Sequence, residues 1–266
     1  MTADPEGGDA VLNHYRLQAE EHGHEPTSTM ADRTTRAREF DAVLACLDLV
    51  LPPGGAGAEV LEVGCGNGLL LGMIAARYPD ATLVGTDWSP DMVALTADRQ
   101  VPGSTVQRED VRALSFADGR FAAVVSERCL VNLLDPEEQD QALVELHRVL
   151  APGGHLVLIE AYADGLANLN VARDEVGLPP NVTPFHNLWF DPDRVAATLR
   201  GRFDLVEHES VPPPNFLSSH YFVSRVLYPA VTRAEIRYNT AFVEFFGFLP
   251  ARGDFSPIRL HLLRKR

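Results

Sequence analysis

A chain of 266 residues, 45% of them hydrophobic, is long enough for one large α/β domain or a domain with an appended lid, and too apolar for pervasive disorder. Its 37 acidic against 23 basic residues give a formal net charge of -14, which argues against a protein that grips nucleic-acid phosphates over a broad surface. Three widely spaced cysteines, Cys46, Cys65 and Cys129, form no Cys-x-x-Cys pair, give no sign of a disulfide scaffold and fit a reducing cytoplasm.

The opening MTADPEGGDA lacks the basic start and apolar run of an export signal. No stretch approaches the roughly 18 consecutive apolar residues of a membrane-spanning helix. Rich in Gly, Asp and Pro, residues 1–10 are expected to fray. Residues 11–22 read as a short helix carrying Val11, Leu12, Tyr15 and Leu17, and 23–29 as a loop. From 34 to 50 the apolar period is helical, with Phe40, Val43, Leu44 and Leu47 on one face, until Pro52-Pro53-Gly54-Gly55 ends it.

An alternation then begins. Short apolar runs at 60–63, 81–85, 105–107, 121–126 and 155–159 read as strands, with helical patterns at 69–78, 91–99 and 137–150. Ser89 is an N-cap ahead of Pro90 in a first helical turn, and Pro152-Gly153-Gly154 is a turn before the fifth strand. This rhythm predicts an α/β fold with a mostly parallel sheet covered by helices on both faces. Continuously apolar strands fit burial on both sides. After Glu160 the rhythm breaks, and 161–190 holds three prolines and no clear period. A helix at 193–199 and a strand at 203–208 follow. Beyond them lie a proline-rich 211–216, an aromatic, helical 217–246 and a last strand at 257–263.

The sharpest chemical signal is 59-EVLEVGCGNG-68, a strand running into Gly64, Gly66 and Gly68. Glycines there let the backbone turn and let a ligand lie against it, while the next helix points its N-terminus at that ligand. The third glycine follows the second by two residues rather than the three of a dinucleotide fingerprint. Glu62, just before the first glycine, also suits a cationic or polyhydroxyl ligand better than a pyrophosphate. The spacing favours S-adenosyl-L-methionine (SAM), with a dinucleotide and a purely structural turn as the alternatives. Asp87, ending the second strand, is placed to accept hydrogen bonds from ribose hydroxyls in either kind of site. Trp88 can lie beside an adenine ring or pack as core, and Asp110 can take an adenine amino group or sit in a surface loop.

Together LEVGCGNG at 61–68, GTDWSPDM at 85–92, ED at 109–110, VVSERCLVNLL at 124–134 and HRVLAPGGHLVLIE at 147–160 resemble the class I SAM-dependent methyltransferases. The resemblance implies a Rossmann-like seven-stranded sheet whose last, antiparallel strand is 257-PIRLHLLRK-265. It also implies a cofactor site in which the glycine loop wraps the amino-acid end of SAM and places Glu62, Gly64 and Gly66 there, with Cys65 and Gly68 as further cofactor-binding candidates of the same loop. In that reading Asp87 holds the ribose, Asp110 with Val111 beside it the adenine amino group, and Ser126, Glu127 and Arg128 lie near the sulfonium and the acceptor. The tetrapeptide 126-SERC-129 stands where many amide and base N-methyltransferases carry an NPPY-like signature.

Transfer of a methyl group needs alignment and exclusion of water more than covalent help. With a cap segment at 1–50 before a domain spanning 51–266, residues 11–32 and lid insertions at 161–190 and 211–250 are expected to close over one pocket for a small organic acceptor, an O- or N-nucleophile. Tyr15, Met30, Arg128, Asn187 and Asn215 are the candidate acceptor contacts, and His186 and Tyr221 the candidates for orienting or deprotonating it. No metal-ligand spacing is present, and neither nucleic acid nor membrane is an expected partner. The rival readings are a SAM-binding module without transfer activity and a nicotinamide-dependent oxidoreductase.

Overall fold

A computed structural model describes residues 5–26 and 28–266. Seven strands, β1 (Glu59–Val63), β2 (Thr82–Asp87), β3 (Ser104–Arg108), β4 (Phe121–Glu127), β5 (Leu150–Ala161), β6 (Phe203–Leu205) and β7 (Ile258–Lys265), form one sheet in the order β3-β2-β1-β4-β5-β7-β6. Strands β1 to β5 pair in parallel, and β7 runs antiparallel between β5 and β6. This is the Rossmann-like sheet that the alternating pattern implies. It places the carboxyl ends of β1 to β4 along one edge, where such folds bind ligands.

The strands are apolar on both faces because both faces are covered. Val60, Leu83, Ala123, Val125 and Val157 pack toward α2 (Arg33–Val50) and α3 (Leu69–Arg77). Their alternate neighbours Leu61, Val84, Val124, Leu156 and Leu158 pack toward α5 (Pro136–Val149) and α7 (Pro192–Leu199). Helix α4 (Pro90–Asp98), α5 and α7 each begin with proline one residue after a capping Ser89, Asp135 or Asp191, whose side-chain oxygen accepts a backbone N–H.

Four expectations about the elements are corrected. Residues 5–10 belong to α1 (Pro5–His22), while 1–4 lie outside the described residues. Pro152-Gly153-Gly154 lies inside β5 at a register shift against β4, with Gly153 at φ 73, so it is a bulge rather than a turn. Residues 163–175 form α6 (Ala163–Glu175). Its inward face is Gly165, Leu169, Ala172 and Arg173, where Leu169 is the one large apolar side chain, so no apolar period shows. The 217–246 segment is not one helix. Its first part is α8 (Ser218–Phe222), a π-helical turn at Val223–Leu227 and α9 (Tyr228–Thr232). Arg233 then stops it in the left-handed conformation, and α10 (Ala241–Phe246) follows.

Candidate functional site

A cavity of about 1120 Å³ opens at the carboxyl ends of β1 to β4. The glycine loop, the ends of β2, β3 and β4 and the start of α5 line it, and α1 closes a further side with Gly8, Val11, Leu12 and Tyr15. Gly64, Gly66 and Gly68 all hold positive φ, between 54 and 77, which a side chain at any of them would strain. A Cβ on Gly64 would collide with Cys129, whereas one on Gly66 would meet nothing within 4 Å, because that glycine faces the open cavity. The loop is held from behind: Thr96 Oγ1 donates to the Gly66 carbonyl at 2.6 Å, and Cys65 N donates to the Thr86 carbonyl at 2.9 Å.

Asp87 sits at the loop's side. Its carboxylate accepts from Gly66 N at 3.0 Å and Ser89 N at 2.8 Å. Burial nonetheless raises its pKa to about 6, against the pull of those amides. Beside it, Trp88 is 43% exposed and lies under the Arg108 guanidinium at 4.6 Å. At the far end Asp110 is clasped by Arg112, with Nη2 to Oδ2 at 2.6 Å, and Arg112 also pairs with Glu138 of α5. Burial works against the Asp110 charge, but these bonds outweigh it and hold the carboxyl below its ordinary range. Val111 lines the cavity next to it.

The most charged wall lies where β1 and β4 end. Glu62 is 3% exposed, and its Oε2 has no hydrogen-bond partner. Burial, reinforced by Glu127 and Asp87, pushes its pKa well up. Arg128, at φ 51, places Nε 3.0 Å from Glu39 Oε1 and 2.9 Å from Glu127 Oε1. Two carboxyl groups thus converge on one guanidinium. Burial raises the pKa of fully enclosed Glu39, while Glu127, buried too, is kept low by Arg128 and Arg36. Arg36 lines the same cavity, gives one nitrogen to Thr29 Oγ1 and keeps its Nε unpartnered. Tyr15 donates to Asn132 Oδ1 at 3.0 Å across the opening.

Glu62, Gly64, Cys65, Gly66, Asp87, Trp88, Asp110, Val111, Tyr15 and Arg128 therefore meet around one cavity. The other candidates do not line it. Gly68 caps α3 and backs onto Thr96. Ser126 turns away to donate to Glu160 Oε1 at 2.9 Å. Met30 packs against the core beside α2, and Asn187 lies in the 184–190 loop away from the cavity. Asn215 reaches the Gly253 carbonyl instead. Tyr221 is buried under Arg225, 3.6 Å from its ring centroid. His186 stacks on His14 at 3.9 Å, outside the cavity lining, and burial lowers its pKa to about 4. The single pocket expected beneath three lids is corrected accordingly: α1 and the 28–40 region close this cavity, while 161–190 and 211–250 contribute none of its lining. Among the described residues no group of three or more His, Cys, Asp or Glu is arranged to hold a metal ion.

Sequence reasoning missed Arg36, Phe40 and Asn132. Arg36 did carry a signal: it stands four residues before Phe40 and seven before Val43, so it interrupts the apolar face of α2 with a buried charge.

Residues 60–154 match the family described as methyltransferase domain. Over this segment the chain is similar to the class I SAM-dependent methyltransferases. It is 40% identical over 105 residues to the demethylmenaquinone methyltransferase of Thermus thermophilus, a match covering 38% of this chain and 46% of that protein. A malonyl-[acyl-carrier protein] O-methyltransferase of Laribacter hongkongensis is 32% identical over 142 residues, covering 50% of this chain and 46% of that one. The chain thus spans less than half the length of these curated relatives. In fold, the chain resembles the N-methyltransferase NodS of Bradyrhizobium japonicum, solved with S-adenosyl-L-homocysteine, at a TM-score of 0.55 and 18% identity over 95% of this chain and 98% of that one. It also resembles the [4+2]-cyclase SpnF, at a TM-score of 0.57 and 22% identity over 86% and 81%.

Proposed function

We propose that the chain transfers the methyl group of SAM to a small organic acceptor bearing an oxygen or nitrogen nucleophile. One observation carries this reading: a buried carboxyl and a buried guanidinium that line one cavity each keep an unpartnered atom, Glu62 Oε2 and Arg36 Nε, and burial favours the uncharged Glu62 until a cation pairs with it. Leaving such groups unmatched is costly, so the cavity fits a ligand that is cationic and anionic at one end. The amino-acid end of SAM is such a group. Glu62 would take its ammonium, Arg36 its carboxylate, Asp87 the ribose hydroxyls, and the stretch from Trp88 to Val111 the adenine. When bound, SAM supplies a methyl on a positively charged sulfur. The chain's own work is then to align the acceptor and exclude water, and α1 with Tyr15 and Asn132 is placed to do so.

The acceptor side of this reading rests on Tyr15, Glu127, Arg128 and Asn132, which supply its polar wall. The names of the relatives, which include a trans-aconitate 2-methyltransferase of Deinococcus radiodurans, support a small-molecule acceptor. The charge of -14 fits the same view, with a cytoplasmic setting and no nucleic-acid partner. Among the described residues no helix is long and apolar enough to cross a membrane. Calorimetric titration tests the proposal. SAM and its demethylated product should bind and NAD should not; tight NAD binding with no response to SAM would overturn it.

A further inference from the structure

The cofactor loop does more than face a ligand. It carries the hinge of the helix that covers that ligand. Asn67, the residue between the second and third glycines, is 5% exposed. Its carboxamide turns away from the loop's own backbone, and Nδ2 donates to the carbonyls of Gly23 and Glu25, both at 3.1 Å. These are the residues that join α1 to the rest of the chain, and Gly23 turns the chain out of α1 at φ 50. A second clamp lies beside the first. Arg99, which caps α4, donates from Nε to the Asn67 carbonyl at 2.8 Å and from Nη2 to the His24 carbonyl at 3.2 Å. The hinge carbonyls of residues 23, 24 and 25 are thus all bound by side chains of the loop and of the helix that braces it. By contrast, the one direct side-chain hydrogen bond from α1 to the cavity wall among the described residues is Tyr15 to Asn132.

We propose that Asn67 is a positioning residue that couples occupancy of the glycine loop to closure of α1 over the cavity. This rests on the reading of the cavity as a SAM site. The physical argument is one of order. An unliganded glycine-rich loop has many backbone states, and a ligand lying against Gly64 and Gly66 removes them. Fixing the loop fixes Asn67, and a fixed Asn67 holds both hinge carbonyls at the angle that sets α1 across the opening. Closure then brings Val11, Leu12 and Tyr15 onto the ligand. Asn67 lines the cavity too, but its Nδ2 is spent on the two hinge carbonyls, and its effect on α1 runs through those bonds.

Hydrogen exchange of the full chain, with and without saturating SAM, tests this coupling. In the wild type, SAM should slow exchange of the amides of 11–22 at least tenfold. Asn67→Ala removes both donors and should still bind SAM, but the slowing at 11–22 should fall to about twofold or less while the amides of 64–72 stay protected. A merely structural role would instead speed exchange equally with and without ligand. Arg99→Met, on the surface-facing clamp, is the second variant and should give an intermediate loss. Ligand-induced slowing at 11–22 that is unchanged in both variants would overturn the proposal. Failure of the wild type to bind SAM at all would instead overturn the reading of the cavity.

Discussion

The cavity wall and the buried cluster beneath α8 use the same residue types to opposite ends. In the cluster carboxylate and guanidinium have found each other, although His220 Nδ1 and Thr35 Oγ1 stay without partners. Asp32 caps α2 through Thr35 N at 3.1 Å, accepts from His220 Nε2 at 2.8 Å and from Arg225 Nη1 at 3.1 Å. Arg225 in turn spreads over the rings of Tyr221 and Tyr238. At the cavity the charges are held in place but left partly free: Glu62 and Arg36 keep unpartnered atoms, and Asp87 spends only backbone amides on its carboxylate. A cluster whose opposite charges are paired fastens 211–250 to the start of α2. An unsaturated one waits for a ligand. The aromatic content that makes 217–246 look like an acceptor pocket in the sequence belongs to the fastening.

If that contrast is right, the largest effect on stability comes from the cluster. Burial opposes the Asp32 charge, but His220, Arg225 and the Thr35 amide hold its carboxyl far below the ordinary range. Asp32→Ala would leave the Arg225 guanidinium, 6% exposed, without its carboxylate. Breaking a buried pair from one side costs about 3–5 kcal/mol. Denaturant unfolding should show a loss of that order, and a loss under about 1 kcal/mol would mean that Arg225 finds another partner and the cluster is not a fastening.

Asp87 should behave in the opposite way. Its carboxyl pKa is raised to about 6 by burial, above its ordinary 3.8, so the folded protein holds that proton longer than the unfolded chain. Stability from this group is therefore full below about pH 4 and is lost as pH rises through 6. Ligand binding has the reverse sign, because ribose hydroxyls donate to the ionised form. SAM affinity should be level above pH 7 and weaken about tenfold for each unit below 6. Asp87→Asn should cut affinity by about 1–3 kcal/mol at pH 7.5, flatten part of that acid limb and leave stability unchanged or higher. Titrations across pH check it, and an acid limb identical in the variant would assign the proton to another group such as Glu62.

How far the sequence alone reaches follows the same divide. Strand runs such as VLEV at 60–63 and AAVVS at 122–126 are apolar on both faces, so their burial shows in composition. The glycine loop shows because positive φ is required at Gly64, Gly66 and Gly68. Asp87 and Asp110 show because they end strands. Helix α6 does not show: Gly165 packs where a Cβ would strike the Ser256 carbonyl, and Arg173 is buried by donating to the Pro179 and Arg225 carbonyls. That face is written in fit and hydrogen bonds rather than hydropathy. Asn132 is equally silent, because what draws it to the cavity is the path of α1, and Arg36 shows only as a charge that interrupts the apolar face of α2. Tyr221 and His186 fail for a related reason. Residue type made them candidates, and three-dimensional neighbours, Arg225 and His14, decided where they sit.

The smallest effect is the most discriminating between the two regions. Tyr221 lies in the fastening, 6% exposed, with the Arg225 guanidinium 3.6 Å from its ring centroid and its phenol pushed up to about 12 by burial. The stabilising part of that contact is the face of the ring, which carries the quadrupole that attracts the cation. Tyr221→Phe keeps the ring and its packing volume and removes only the hydroxyl. Stability should therefore change by no more than about 1 kcal/mol, the scale of a single neutral hydrogen bond. The SAM dissociation constant should stay within about twofold, since no atom of Tyr221 lines the cavity. Calorimetry and denaturant unfolding on the one variant read both quantities. A tenfold loss of SAM affinity at unchanged stability would place the hydroxyl against the ligand in the closed protein, and the α8 cluster would then be part of the site rather than its fastening.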